Sequence, residues 1–325
     1  MKPRATFLHP CALIIVIALS SLSRAQEAPS SHSLPADEYT IRVHADLVVL
    51  RATVQDRKNT SVSGLDKNDF QVYENGVQQS IKHFSHEDVP VTVGLVIDNS
   101  GSMRSKRADV IAASLAFARS SNPQDQMFVV NFNEKVSFGL PGNMAFTDKV
   151  PQLEIALARM APDGETALYD ALGAALEHLK KGSRDKKVLI VISDGGDNAS
   201  KLKLNEITSL VGQPDVIIYT IGIFDDQDAD RNPAVLKRLA KDTGGEAFFP
   251  ESLKHVAPIC ERIAHDIRNQ YTIGYVPTNR KRDGSYRVLQ VKASAPGHGH
   301  LLVRTRTGYF APASQPSPAA EAMRP

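Results

Sequence analysis

The sequence predicts an α/β protein: a doubly wound, mostly parallel sheet, inserted into or flanked by a small β-sandwich. Three observations predict it. Between residues 89 and 269, apolar runs of strand length alternate with segments of helical periodicity. Those runs are apolar throughout, which requires a sheet covered on both faces. On either side of this region the pattern reverts to short β segments separated by turn residues, with no strong helix.

Taken in order, residues 1–25 have the layout of a secretory signal. Basic Lys2 and Arg4 precede an apolar stretch over 11–19, and Ser23 and Ala25 stand at the two positions a signal peptidase reads. The stretch is short for a membrane span. A secreted or periplasmic chain is therefore expected, with an uncleaved N-terminal anchor as the alternative. Residues 26–38 are rich in Ser, Pro and Ala and read as a flexible leader, and 311–325 read as a disordered tail. The first β part, 39–88, opens on an alternation that sets Val43, Ala45, Leu47 and Val49 against Arg42, His44, Asp46 and Val48. Phe70-Gln71-Val72-Tyr73 is a strand, and Asn75-Gly76 is a hairpin turn signal. Strands are expected over 91–97, 127–132, 187–193, 216–223 and 246–249. Helices are expected over 104–121, 149–160, 166–179, 205–211, 233–242 and 252–269. Residues 270–310 return to β, with strands over 271–276, 286–293 and 300–305 and turns at Asp283-Gly284 and Pro296-Gly297. The two β parts either join in one sandwich or form two separate caps; the pattern alone leaves both open.

The composition is 42% hydrophobic and 23% charged, which is ordinary for a globular chain of 325 residues. Formal net charge is +2; without Lys2, Arg4 and Arg24 of the signal-like segment the remainder is near −1. That balance favours neither a nucleic-acid nor an anionic-membrane partner. Beyond the signal-like segment Cys260 is the one cysteine, so no intramolecular disulfide is expected there. Its neighbours Ile259 and Ile263 predict a packed apolar side chain rather than a reactive thiol.

The chemistry concentrates in Asp98-Asn99-Ser100-Gly101-Ser102, directly after the apolar run that ends at Ile97. One carboxylate and two hydroxyls stand at alternate positions where a buried strand ends. Two further pieces lie downstream: Thr166 in Gly164-Glu165-Thr166, and Asp194 after the run that ends at Ser193. In an open parallel sheet, ligands bind beyond the carboxyl ends of the strands, and Asp98 and Asp194 both occupy such ends. Hard oxygen donors on short turns suit a small divalent cation, Mg²⁺ above all, with Mn²⁺ or Ca²⁺ as alternatives. The plainer reading makes Asp98 or Ser100 a cap for the helix that follows.

The order Asp-x-Ser-x-Ser, Thr, Ser-Asp-Gly resembles the metal-ion-dependent adhesion site of von Willebrand factor type A domains, and the resemblance covers about residues 89–268. It extends to secreted bacterial proteins built on such a domain, on the strength of Gly64-Leu65-Asp66-Lys67-Asn68-Asp69-Phe70, Tyr73-Glu74-Asn75-Gly76, Tyr271-Thr272-Ile273-Gly274-Tyr275 and Gly308-Tyr309-Phe310. It implies a Rossmann-like domain that is not an enzyme. Ser100, Ser102 and Thr166 would hold the ion directly, and Asp98 and Asp194 largely through water. One coordination position would stay open for an Asp or Glu of a protein partner. This chain departs from the family's common Gly-Gly-Thr by carrying Glu165, a carboxylate that either points outward or occupies the open position. The alternative activity is a Mg²⁺-assisted hydrolase on the same residues, with His44, His83 or His86 as base.

Other signals are weaker. Asp226-Gln227-Asp228-Ala229-Asp230 opens like a calcium loop, but Arg231 stands where Gly is needed. His298-Gly299-His300 reads as a solvated turn. His255, Cys260 and His265 recur every five residues, which scatters them around a helix. Asn99-Ser100-Gly101 lacks the Gly that begins a nucleophile elbow.

Overall fold

Unbroken apolar runs build the centre of the molecule. A computed structural model of the chain describes residues 47–211, 215–224 and 230–313. The signal-like segment, the leader and nearly all of the acidic 226–230 loop and of the tail lie outside the described residues. All described residues belong to one unit, Ala45–Pro325.

In chain order the strands are β1 (Val48–Gln55), β2 (Phe70–Glu74), β3 (Val77–Gln79), β4 (Ile81–Ser85), β5 (Val91–Asp98), β6 (Gln126–Phe132), β7 (Val136–Phe138), β8 (Lys186–Ser193), β9 (Val216–Gly222), β10 (Ala247–Phe248), β11 (Tyr271–Tyr275), β12 (Tyr286–Ala293), β13 (Leu302–Arg304) and β14 (Gly308–Phe310). The helices are α1 (Arg107–Ser120), α2 (Val150–Ala158), α3 (Leu168–Leu179), α4 (Leu204–Val211), α5 (Pro233–Thr243) and α6 (Val256–Arg268). The central sheet has the order β10-β9-β8-β5-β6-β7. Every pairing in it is parallel except β6 with β7. Every residue of β5 and β9 is buried, as a sheet covered on both faces demands. The helices supply that cover: α3 packs on β5 and β6, α5 on β9, and α1 against α6. From β5 the chain steps one way to β6 and later returns to place β8 on the other side. The carboxyl ends of β5 and β8 therefore flank a switch in strand order, where such sheets leave a crevice.

The remaining strands form two antiparallel four-stranded sheets, ordered β13-β1-β11-β4 and β14-β12-β2-β3. Leu50, Ile273 and Tyr275 of one meet Val72, Val291 and Tyr309 of the other in a second core. Each sheet mixes strands from before β5 and after α6, as in β1 with β11 and β12 with β2. Asn75 and Gly76 both have positive φ (49° and 81°), the geometry of the two-residue hairpin turn joining β2 to β3.

Two expectations are corrected. The face of β1 is the opposite of the one read from the alternation. Val48, Leu50, Ala52 and Val54 are buried, whereas Leu47 is 47% exposed. Positions 47 to 50 are all apolar, so either set fits until the continuation through Ala52 and Val54 sets the register. The edge strand β7 was not expected, because three residues carry too little periodicity to register.

Candidate metal centre

The site is assembled from turns at strand ends. Asp98 closes β5. Its Oδ1 accepts the Ser100 backbone N–H at 2.8 Å, and its Oδ2 accepts the Ser193 hydroxyl at 2.6 Å. The Ser100 and Ser102 hydroxyls are 3.1 Å apart, and Ser102 donates to Asp194 Oδ2 at 2.6 Å. Asp194 Oδ1 accepts the N–H of Gly196 at 3.0 Å. Four of the five residues singled out in the sequence thus converge, joined by Ser193, across the ends of β5 and β8. Gly195 makes the second turn feasible. Its φ is +80°, and a side chain there would press on the Asn232 carbonyl.

Thr166, also buried, arrives on the loop between α2 and α3 and is fixed through its backbone. Its N–H donates to Asn198 Oδ1 at 2.8 Å, and its carbonyl accepts the N–H groups of Asn198 and Ala199, each at 3.0 Å. The same loop meets the first turn through Gly101 N–H to Gly164 O (3.1 Å) and Asp163 N–H to Asn99 O (2.9 Å). Gly164 has φ +76°, and a Cβ there would run into the Glu134 carboxylate. Glu134, unsuspected from sequence, is therefore the acidic group lying against this loop. Glu165 is exposed and, among the described residues, makes no hydrogen bond to the five.

Electrostatics distinguish this cluster from a set of helix caps. Asp98 is 2% exposed and Asp194 5%. Among the described residues no Lys, Arg or His forms an ion pair with either. Burial first, and the Asp194 carboxylate second, push Asp98 up to about 6, against the pull of its bonds from Ser100 and Ser193. A buried carboxylate pair with no basic ion-pair partner among the described residues, beside hydroxyl oxygens, fits a hard divalent cation in charge and donor type. No group of three or more His, Cys, Asp or Glu side chains suited to a metal occurs among the described residues. The donors here are two carboxylates plus alcohols, a set that disfavours soft metals.

Sequence reasoning missed the residues that hold these loops in place. Arg107 Nη1 donates to Asn99 Oδ1 at 2.8 Å and to the Met160 carbonyl, and Nη2 reaches the Ala158 carbonyl at 2.8 Å. Asn99 Nδ2 in turn meets Asn131 Oδ1, and Asn131 bonds the Ala156 carbonyl. This network ties the first turn to the end of α2, and so to the loop carrying Thr166. An Arg at the start of a helix gives no sequence signal of its partners. Arg107→Met is expected to weaken cation affinity about 10–100-fold while the fold persists. Competition against Mn²⁺, followed by the free-ion electron paramagnetic resonance signal, measures it. Unchanged affinity would remove Arg107 from the site's support.

Two of the three residues considered as a base lie elsewhere. His83 is on β4 in the antiparallel sheet, and the His86 ring stacks on Tyr271 at 4.3 Å; His44 is outside the described residues. Cys260 is fully buried, and burial pushes its thiol up to about 12, so it is a packed side chain as expected. His298 and His300 are exposed on a turn.

The von Willebrand factor type A domain model matches residues 92–259. An uncharacterized protein of Synechocystis is 24% identical over 170 residues, which is 50% of this chain; the match spans 38% of that relative's length. Among solved structures, a von Willebrand factor type A protein from Catenulispora acidiphila superposes with a TM-score of 0.50 at 14% identity, covering 80% of this chain and 78% of that one. The vWF domain of the type V pili tip protein from Porphyromonas gingivalis gives 0.46 at 16% identity, covering 55% and 95%. These structural likenesses concern the fold.

Proposed function

This chain belongs to the von Willebrand factor type A domain family, and from that membership and the geometry of the site we propose that it is a metal-dependent, non-enzymatic protein-binding module. Asp98, Ser100, Ser102, Thr166 and Asp194 hold the cation, with Mg²⁺ the first choice and Mn²⁺ or Ca²⁺ the alternatives. The observation that carries the reading is the hydrogen-bonded chain from the Asp98 carboxylate through the Ser100 backbone N–H and the Ser100 and Ser102 hydroxyls to Asp194, which ends on two buried carboxylates with no basic ion-pair partner among the described residues. A bound divalent cation would supply an electrophilic centre for a carboxylate oxygen of a protein partner. The chain's own contribution is to hold the hydroxyls in place, keep the carboxylates desolvated and leave the rim accessible. Glu165 is exposed, and we read it as pointing outward, which leaves the open position to the partner. We place residues 89–269 as the binding domain, set into a sandwich built from 39–88 and 270–310. We assign the chain to the periplasm or the exterior, after removal of residues 1–25.

The test is capture. The immobilised chain should retain partner proteins from the envelope fraction of its source in Mg²⁺ and release them into chelator. Asp98→Ala should retain none while staying folded at the assay temperature. Equal retention by that variant contradicts the proposal.

A further inference from the structure

A third strand end reaches the candidate cation site, and it brings a carboxylate that is not among the five residues. β6 lies beside β5, and its last residue, Phe132, accepts the Asn99 backbone N–H at 2.6 Å. The chain then turns through Asn133, Glu134 and Lys135 into the antiparallel edge strand β7. Three strands thus bring their carboxyl ends together, where such sheets bind ligands: β5 with Asp98, β8 with Asp194, and β6 with this turn.

Asn133 fixes the turn with all four of its polar groups. Within the turn, its N–H donates to the Lys135 carbonyl at 3.1 Å, and its Oδ1 accepts the Lys135 N–H at 2.9 Å. Toward the neighbouring loop, its carbonyl accepts the Ala167 N–H at 2.8 Å, and its Nδ2 donates to the Asp163 carbonyl at 3.0 Å. Those last two bonds bracket Thr166. Between them the Glu134 carboxylate is pressed against Gly164, in the space a Cβ at that position would fill. A glycine with φ +76° leaves the seat open. The Gly164 carbonyl in turn accepts the Gly101 N–H at 3.1 Å, between Ser100 and Ser102. Glu134 is therefore seated on the loop that joins Thr166 to the two serines.

We propose that Glu134 is a further carboxylate of the cation site, acting on a bound divalent ion across solvent and raising its affinity without replacing any of the five residues. The inference rests on the cation site proposed above. Two observations favour action through solvent. The Glu134 side chain is 38% exposed, and its ion pair, to the adjacent Lys135, spans 4.0 Å to a side chain that is 83% exposed. A solvated pair of that length offsets little of the charge. Because the turn already holds the carboxylate in place, little side-chain freedom is lost when an ion arrives. Glu165, though next to Thr166 in sequence, has no such seat: it is exposed and, among the described residues, nothing bonds its carboxylate. Asp163 is engaged by Arg104 at 3.1 Å.

Titration of Mn²⁺ into the full chain, followed by the free-ion electron paramagnetic resonance signal, tests the proposal. Glu134→Gln keeps the volume against Gly164 and removes the charge. It should lose roughly five-fold in affinity, and its affinity should fall less steeply with added salt than that of the wild type. No buried bond is removed, and a melt in chelator reports the fold of each variant. Glu165→Gln is the control and should lose less than about two-fold. A Glu134→Gln affinity equal to wild type overturns the inference. So does an equal loss in both variants, or a salt dependence that the loss of Glu134 leaves unchanged. A wild type that takes up no Mn²⁺ overturns the cation site and this inference together, so the two failures are told apart.

Discussion

Glu74→Ala lowers the unfolding free energy by about 3–5 kcal/mol, and with it the melting midpoint by on the order of 10 °C. Glu74 ends β2, and Arg287 faces it from β12; both side chains are 2% exposed. Beyond Arg287, the Glu74 carboxylate accepts the hydroxyls of Tyr275 at 2.7 Å and Tyr309 at 2.8 Å. Tyr275 comes from the opposite sheet, so this cluster links the two layers of the sandwich. Burial, followed by the bond to Glu74, raises the Tyr275 hydroxyl far above its ordinary range and pushes Tyr309 up to about 12. Both therefore remain donors at any ordinary pH. Removing the carboxylate strands a buried guanidinium and two hydroxyls, which costs far more than the loss of a surface pair. Tyr275→Phe removes one donor and leaves the ion pair, and should cost about 1 kcal/mol. Urea unfolding of both variants measures the difference. A Glu74→Ala protein within 1 kcal/mol of wild type on that scale would show that the cluster does not hold the sheets together.

The second large effect is the pH dependence of the metal-free protein. The folded state raises Asp98 from its ordinary 3.8 to about 6. A carboxyl raised by folding favours the protonated folded form. Its stabilising contribution is complete below the unfolded value and is lost as pH climbs through the folded one. Between pH 4 and pH 6 the chelated protein should therefore lose about 2 kcal/mol from this group. Asp125 and Asp197 are also raised, chiefly by burial, so the comparison that isolates Asp98 is Asp98→Asn, which should flatten the profile over this window. Mg²⁺ should restore stability at pH 7 and do little at pH 4.5, where Asp98 is protonated. Thermal melts of both proteins in chelator, across that range, decide it. Parallel profiles for wild type and Asp98→Asn would refute the account of a strained, uncompensated carboxylate pair.

Much of this was legible in the residues, for reasons that differ from element to element. The strands β5, β8 and β9 announce themselves because a fully covered strand must be apolar along its whole length. Asp98 and Asp194 stand out because polar residues at the end of such a run have no structural reason to be there unless they cap or bind. What stayed hidden depends on three-dimensional partners. Ser193, read only as the last residue of a strand, is the donor that fixes Asp98. Arg107 resembles any charged residue near a helix start until Asn99, Ala158 and Met160 are placed around it. Glu74 and Arg287 belong to residue types that are almost never buried unless paired, and a pairing across 213 positions leaves no mark in the sequence. The face of β1 was misread because its first four positions satisfy both phases of a two-residue period.

The central claim is that the ends of β5 and β8 form a cation site. Calorimetric titration of Mg²⁺ into the chelator-stripped chain at neutral pH, with Asp98→Ala and Asp194→Ala alongside, tests it most directly. One saturable site in the wild type, absent from both variants, is the predicted result. A wild type that takes up no ion, or variants whose isotherms overlay it, would contradict the claim.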